Sequence, residues 1–268
     1  MGKIKITYKQ YGGKDSISKW IVSNFPEHQV YVEPFCGSCS VLFAKIPSFI
    51  EVINDIDEKI INMFKHIRKN PKELAALLWA TPYSEDNWRE EIEGDSLEAS
   101  AMFMAQSVQY YCGNCNSSTW ALDKSGVPHK PKNKVFSDWF LRILPAAARL
   151  KDVQLLNEDA IKVIERFKDN QGTLMYIDPP YFNHEKEYKY QVDYKKMVEL
   201  LKNCKGKVIV SEYPEADSFF KGWRVVKKVT AGRARTGAHN RKAKIKTEVL
   251  YMNFEKPKPI YQSISFWE

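Results

Sequence analysis

The chain has 268 residues, 44% of them hydrophobic, and a formal net charge of +8. That length can bury a full α/β core and carry one inserted subdomain, and the charge favours a polyanionic partner. No apolar run reaches the roughly 18 residues of a membrane span, and the Lys/Ile alternation of Met1–Gln10 lacks the apolar core of a signal peptide.

Taken in chain order, Tyr11-Gly12-Gly13-Lys14 reads as a flexible turn carrying one ammonium. Ser16–Phe25 is a short amphipathic helix stopped by Pro26, and Gln29–Glu33 is the first predicted strand. A strand-to-helix turn, Glu33-Pro34-Phe35-Cys36-Gly37-Ser38-Cys39, leads to the helical-looking Val41–Lys45. Glu51–Asp55 is the second strand. From Asp57 a helix places Ile60, Ile61, Phe64 and Ile67 on one face and stops before Pro71. The stretch 72–149 breaks the alternation: it is helical over Ser96–Tyr111, then loop-like over Gly113–Lys134. It reads as an insertion into a catalytic body formed by 1–71 and 150–268. Val153–Asn157 and Thr173–Asp178 are the third and fourth strands, Lys207–Glu212 the fifth, and Trp223–Val229 with Thr247–Asn253 a closing antiparallel hairpin. Between them, Asp159 can cap Ile161–Phe167 and Asp193 the helix of Met197, Leu200 and Leu201. Strands alternating with helices predict a mostly parallel sheet.

The chemistry concentrates at Asp178-Pro179-Pro180-Tyr181, where the apolar run Leu174–Ile177 ends. A carboxylate, two stiff residues without amide donors and an aromatic ring make a slot for one flat, amine-bearing ring. Asp178 and the Pro179 carbonyl can accept the two hydrogens of a base's exocyclic amine, and Tyr181 can stack on an extruded base. The predicted reaction is direct methyl transfer to that amine, with no covalent nucleophile.

The donor half of the site is read from two places. Gly37 gives the turn after the first strand its backbone freedom, and Asp55 ends the next strand, where a carboxylate can accept both ribose hydroxyls of an adenosine. Lys14 can pair with the carboxylate of an amino-acid ligand. Asp159 can touch base or donor, or simply cap its helix. Cys36/Cys39 and Cys112/Cys115 are two C-x-x-C pairs, but their separation far exceeds that of a zinc ribbon. No metal is expected, and the five cysteines read as free thiols of a cytoplasmic protein.

In order along the chain, Gly12-Gly13-Lys14, Glu33-Pro34-Phe35 with Gly37, Asn54-Asp55, the insertion, Asp178-Pro179-Pro180-Tyr181, Val210-Ser211-Glu212-Tyr213, and Thr247-Glu248-Val249-Leu250 with Asn253 resemble the Dam-type N6-adenine DNA methyltransferases. The resemblance covers nearly the whole chain. It implies a Rossmann-like class I α/β fold, a seven-stranded mostly parallel sheet with a helical target-recognition insertion. It also implies S-adenosylmethionine as donor, with contacts at Lys14, Asp55 and Asp178. Gln10, Tyr11, Glu33, Pro34, Phe35, Gly37 and Asp159 complete the expected donor site. Two positions depart from the family pattern. Gln10 stands where an aromatic residue is common, with Tyr11 adjacent, and Cys39 replaces the second glycine of Phe-x-Gly-x-Gly.

Nucleic acid is expected to meet two regions. Lys227–Lys246 holds Arg233, Arg235, Arg241, Lys242 and Lys244 among its basic residues and no acidic one, and Lys124–Lys134 offers Lys124 and Lys130. Base-edge or wedge contacts would come from Asn114, Asn116 and Trp120 of the insertion, although Trp120 reads equally as core. The loop Phe182–Tyr190 is expected to be mobile without substrate. The leading expectation is a monomeric, cytoplasmic, bacterial or phage-encoded methyltransferase acting on adenine N6 in double-stranded DNA. An RNA or cytosine-N4 methyltransferase, and a catalytically silent nucleic-acid-binding protein, are the alternatives.

Overall fold

The computed structural model describes residues 4–10, 12–91, 93–110, 120, 122, 132–184, 187–231 and 245–255. The described residues form a seven-stranded sheet: β1 (Val30–Glu33), β2 (Ile50–Asn54), β3 (Gln154–Leu156), β4 (Thr173–Ile177), β5 (Lys207–Glu212), β6 (Arg224–Ala231) and β7 (Ile245–Met252). Their spatial order is β3-β2-β1-β4-β5-β7-β6. β1 to β5 pair in parallel, and β7 runs antiparallel between β5 and β6. This is the Rossmann-like, mostly parallel sheet the sequence predicts.

The central strands form because both of their faces are covered. β1 and β4 are buried at every position, which is why they read as unbroken apolar runs rather than alternating ones. Alternate residues feed opposite cores. Tyr31, Ile53, Leu174, Tyr176 and Ile209 enter one cluster, and Val30, Val32, Val52, Met175, Ile177 and Val208 enter the other.

Helices cover each face. The first cluster is closed by α1 (Ser18–Val22), α2 (Glu58–Lys69), α3 (Pro71–Ala80), α5 (Leu97–Gln109) and α7 (Ile143–Leu150), with α4 (Glu85–Arg89) and α6 (Lys132–Ser137) between them. Asp57 starts α2 by accepting the Lys59 N–H, and Pro71 occupies the first turn of α3, where its missing N–H is harmless. Leu74, Met104, Ile143 and Leu150 lie in the same buried cluster as Ile60 and Phe64 of α2. α3, α5 and α7 therefore share one buried cluster with α2. The second face is covered by α8 (Ala160–Phe167) and α9 (Tyr194–Lys202).

Some boundaries differ from the sequence reading. The first helix is only α1, and Val41–Lys45 yields a single 3-10 turn at Leu42–Ala44. Most of the predicted loop Gly113–Lys134 lies outside the described residues. Among the described residues no helix is long and apolar enough to cross a membrane.

Candidate active site at the strand-order reversal

Chain order reverses where β1 lies between β2 and β4. Loops leaving the carboxyl ends of two such neighbours diverge to opposite faces and open a crevice. A cleft lies there, lined by Gln10, Gly12, Gly13, Lys14, Phe35, Gly37, Asp55, Asp178, Pro179 and Pro180, and by Glu187–Tyr190 on the opposite side.

The turn after β1 is tied to the end of β2. The Cys36 N–H donates to the Asn54 carbonyl at 2.8 Å. The Gly37 N–H donates to Asp55 Oδ2 at 2.9 Å, and the Asp57 N–H to Asp55 Oδ1 at 3.0 Å. Gly37 has φ +45°, and a Cβ there would overlap the Gln10 side-chain amide. Glycine suits the left-handed backbone here, whereas the overlap with Gln10 involves only the end of a flexible side chain. Asn54 joins three strand ends, donating to the Pro34 and Glu158 carbonyls and accepting the Glu158 N–H. Burial pushes the Asp55 carboxyl up to about 6, against the backbone donors of Asp57, Gly37 and Ile56 that hold it down.

Lys14 is buried and lies 2.9 Å from Asp178 Oδ1, with its ammonium also donating to the Gly12 carbonyl at 2.7 Å. The same ammonium sits 4.8 Å above the Tyr181 ring. Burial raises the Asp178 carboxyl above its usual range, and Lys14 opposes that shift. Burial works to lower the Lys14 ammonium, but Asp178 and Glu248 hold it above its ordinary value.

Several expected residues stand elsewhere. Tyr181, expected beneath an incoming base, is 2% exposed. Its hydroxyl donates to Glu248 Oε2 at 3.0 Å, and its ring meets Tyr213 edge-on at 4.5 Å. In this conformation it floors Lys14 rather than walling the cleft. Glu33 is buried behind the turn, accepts the Tyr31 hydroxyl and is pushed by burial up to about 8. Neither it nor Pro34 is among the cleft-lining residues. Asp159 accepts the Ile161 N–H at 2.8 Å as the cap of α8, and it too is absent from the lining. Trp120 donates its indole N–H to Gln109 Oε1 and tilts against Tyr83 at 5.4 Å. Tyr11, Asn114, Asn116, Lys124, Lys130, Arg233, Arg235, Arg241, Lys242 and Lys244, with the Cys112/Cys115 pair, lie outside the described residues.

Sequence reasoning missed some participants. Tyr188, Lys189 and Tyr190 line the cleft, and Lys189 lies 3.7 Å from Asp57 across its mouth. The charge and aromaticity of Phe182–Tyr190 were the available signal. Glu212 and Glu248 lie in segments that carry the family resemblance but were assigned no role, and the fold brings them beside the slot.

A family model described as D12 class N6 adenine-specific DNA methyltransferase matches residues 11–247. The chain is 24% identical over 275 residues to the Type II methyltransferase M1.LlaDCHI of Lactococcus lactis subsp. cremoris, covering 92% of this chain and 94% of that protein. Similar solved structures include a precorrin-8w decarboxylase from Methanobacterium thermoautotrophicum, with TM-score 0.39, 12% identity and 88% of each chain covered. Another is a SAM-dependent methyltransferase from Agrobacterium tumefaciens, with TM-score 0.38, 10% identity, and 89% of this chain and 59% of that one covered.

Proposed function

The chain belongs to the D12 class of N6 adenine-specific DNA methyltransferases, and from that premise we propose that it methylates the N6 amine of an adenine turned out of duplex DNA, with S-adenosylmethionine as donor. The observation that carries the reading is the placement of Asp178, Pro179 and Pro180 on the same cleft as Asp55, Gly37 and Lys14.

The residues present fit the donor. Asp55 spends one lone pair of each oxygen on a backbone N–H, which leaves acceptor capacity for two ribose hydroxyls. Gly12, Gly13 and Gly37 add no side chains of their own to the cleft wall, which favours close approach of the donor to backbone. Lys14 supplies a buried cation suited to a carboxylate, and Gln10 and Phe35 also line the cleft. S-adenosylmethionine brings a methyl group on a sulfonium, electrophilic enough for direct displacement.

An adenine amine is a weak nucleophile because its lone pair is delocalised into the ring. Asp178 accepts one amine hydrogen through the oxygen that Lys14 leaves free, and the Pro179 carbonyl accepts the other. Withdrawing both hydrogens toward fixed acceptors concentrates electron density on nitrogen. Lys14 favours the ionised form of Asp178, against the burial that raises its carboxyl. Neither proline offers an N–H that would compete for those acceptors.

For the substrate, we assign phosphate contacts to Arg233, Arg235, Arg241, Lys242, Lys244, Lys124 and Lys130, and base contacts to Asn114, Asn116 and Trp120 of the 72–149 insertion. A monomeric, cytoplasmic enzyme is part of the proposal, and likeness to a Type II methyltransferase supports a place in restriction–modification.

The test is incorporation of labelled methyl into DNA, with the modified base identified. Asp178→Ala should lower transfer by at least about 10²-fold, with DNA affinity changed only a few-fold. Normal methylation by this variant would remove Asp178 from its role. Label in RNA or at cytosine N4 would favour those substrates, and no donor binding by calorimetry would favour a silent DNA-binding protein.

A further inference from the structure

We infer that Glu212 is a positioning residue for methyl transfer: it fixes the exit of the Asp178-Pro179-Pro180 slot by holding Phe182 and Tyr213 through their backbone N–H groups. The inference rests on the methyltransferase reading above.

The geometry follows from register. Val210 of β5 pairs with Ile177 of β4, so Glu212 lies beside the segment that leaves β4. Pro179 and Pro180 have no amide hydrogen, and the sheet ladder cannot continue along them. The chain needs another tether once the prolines end. Glu212, completely buried, provides it. Its Oε1 accepts the Phe182 N–H at 2.7 Å and the Tyr194 hydroxyl at 3.1 Å, and its Oε2 accepts the Tyr213 N–H at 2.7 Å. Tyr213 stands edge-on to Tyr181, while the Phe182 ring packs on Tyr194 and Phe219. One carboxylate therefore sets both the backbone that follows the slot and the ring beside Tyr181.

All three bonded partners are neutral donors, so the carboxylate is held without a bonded cation. The titratable groups facing it are Asp178 from the β4 exit, Tyr188 from the loop beyond, Tyr194 from α9 and Tyr251 from β7, with Tyr213 following β5. Burial, reinforced by the Asp178 charge, pushes Glu212 up to about 7, against the three donors that lower it. Protonation turns one oxygen into a donor that faces another donor and releases part of the clamp. The rate should therefore fall as pH drops through about 7.

Glu212→Gln keeps the shape but presents an NH₂ to one of the N–H groups. Above the carboxyl's own pKa, its kcat should fall at least about tenfold with KM for S-adenosylmethionine within about twofold, and the fall in rate near pH 7 should be lost, leaving only the limb set by Asp55 and Asp178. Tyr194→Phe removes one donor that favours the carboxylate, so its acid limb should move to higher pH. Wild-type kcat with an unchanged limb in Glu212→Gln overturns the inference, as does a raised donor KM with kcat intact. If Glu212→Gln does not fold, Tyr194→Phe decides: a shifted limb supports the clamp and an unmoved one overturns it. A wild-type protein that transfers no methyl would instead defeat the proposed function itself.

Discussion

Cys39 combines two opposed properties. Its φ of 52° is left-handed, a conformation that favours glycine, yet its side chain is completely buried. Its N–H donates to the Cys36 carbonyl at 2.7 Å and its carbonyl accepts the Phe43 N–H at 2.9 Å, so the turn holds the strained conformation from both sides. The family's second glycine relieves that strain, and here a packed thiol offsets it. Truncation separates the effects. Cys39→Ala keeps the backbone strain and loses the sulfur's burial, while Cys39→Gly loses more side chain but releases the backbone. We expect Cys39→Gly to be more stable than Cys39→Ala by about 1 kcal/mol, the reverse of the usual order within regular structure. Chemical denaturation of the two variants checks this, and an alanine variant as stable as the glycine one would mean that the turn is not strained.

At the scale of elements, α8 shows how one residue can be read two ways. Asp159 satisfies the Ile161 N–H and does not line the cleft. Asp159→Ala should cost about 1 kcal/mol of stability and leave S-adenosylmethionine affinity unchanged. A tenfold loss of donor affinity, measured by calorimetry, would return the residue to the donor site. The strands themselves were legible: Lys207–Glu212 forms as predicted, and β2 and β4 are displaced or shortened by only one residue. Their signal was local, since strands buried on both faces are rich in apolar residues. The cleft half built from short-range motifs, Gly37, Asp55, Asp178 and Lys14, was equally legible. The other half was not. Glu248 reaches Tyr181 across 67 residues and Glu212 reaches Phe182 across 30, and only the pairing of β4, β5 and β7 brings these groups together. The burial of Tyr181 was hidden for the same reason, because its partner lies on β7.

Over the whole molecule, charge is unevenly distributed. The stretch Lys227–Lys246 carries eight basic residues, and the chain has 41 basic and 33 acidic residues in all. Removing those eight leaves 33 basic residues, equal to the acidic count, so the rest of the chain is neutral overall and the net +8 resides in this one tract. Its ends are fixed by β6 and β7, whose last described pairs are Thr230 with Lys246 and Ala231 with Ile245. At that end the Lys246 ammonium donates to the Tyr213 hydroxyl at 2.7 Å, and Tyr213 abuts Tyr181. The described ends of the tract therefore lie beside the slot. Lys227 is engaged with Asp217 and Lys228 lies over Trp20; the basic residues between the strands are the ones we propose as phosphate contacts. Each such contact releases counterions and contributes about 0.9 to the slope of log affinity against log salt. Replacing Arg233, Arg235 and Arg241 together with glutamine should weaken DNA binding and flatten that slope by up to about 2.7. Preference between recognition sequences should persist, because phosphate contacts carry no base information. A titration of duplex affinity against salt checks both, and an unchanged slope would show that these arginines contact no phosphate.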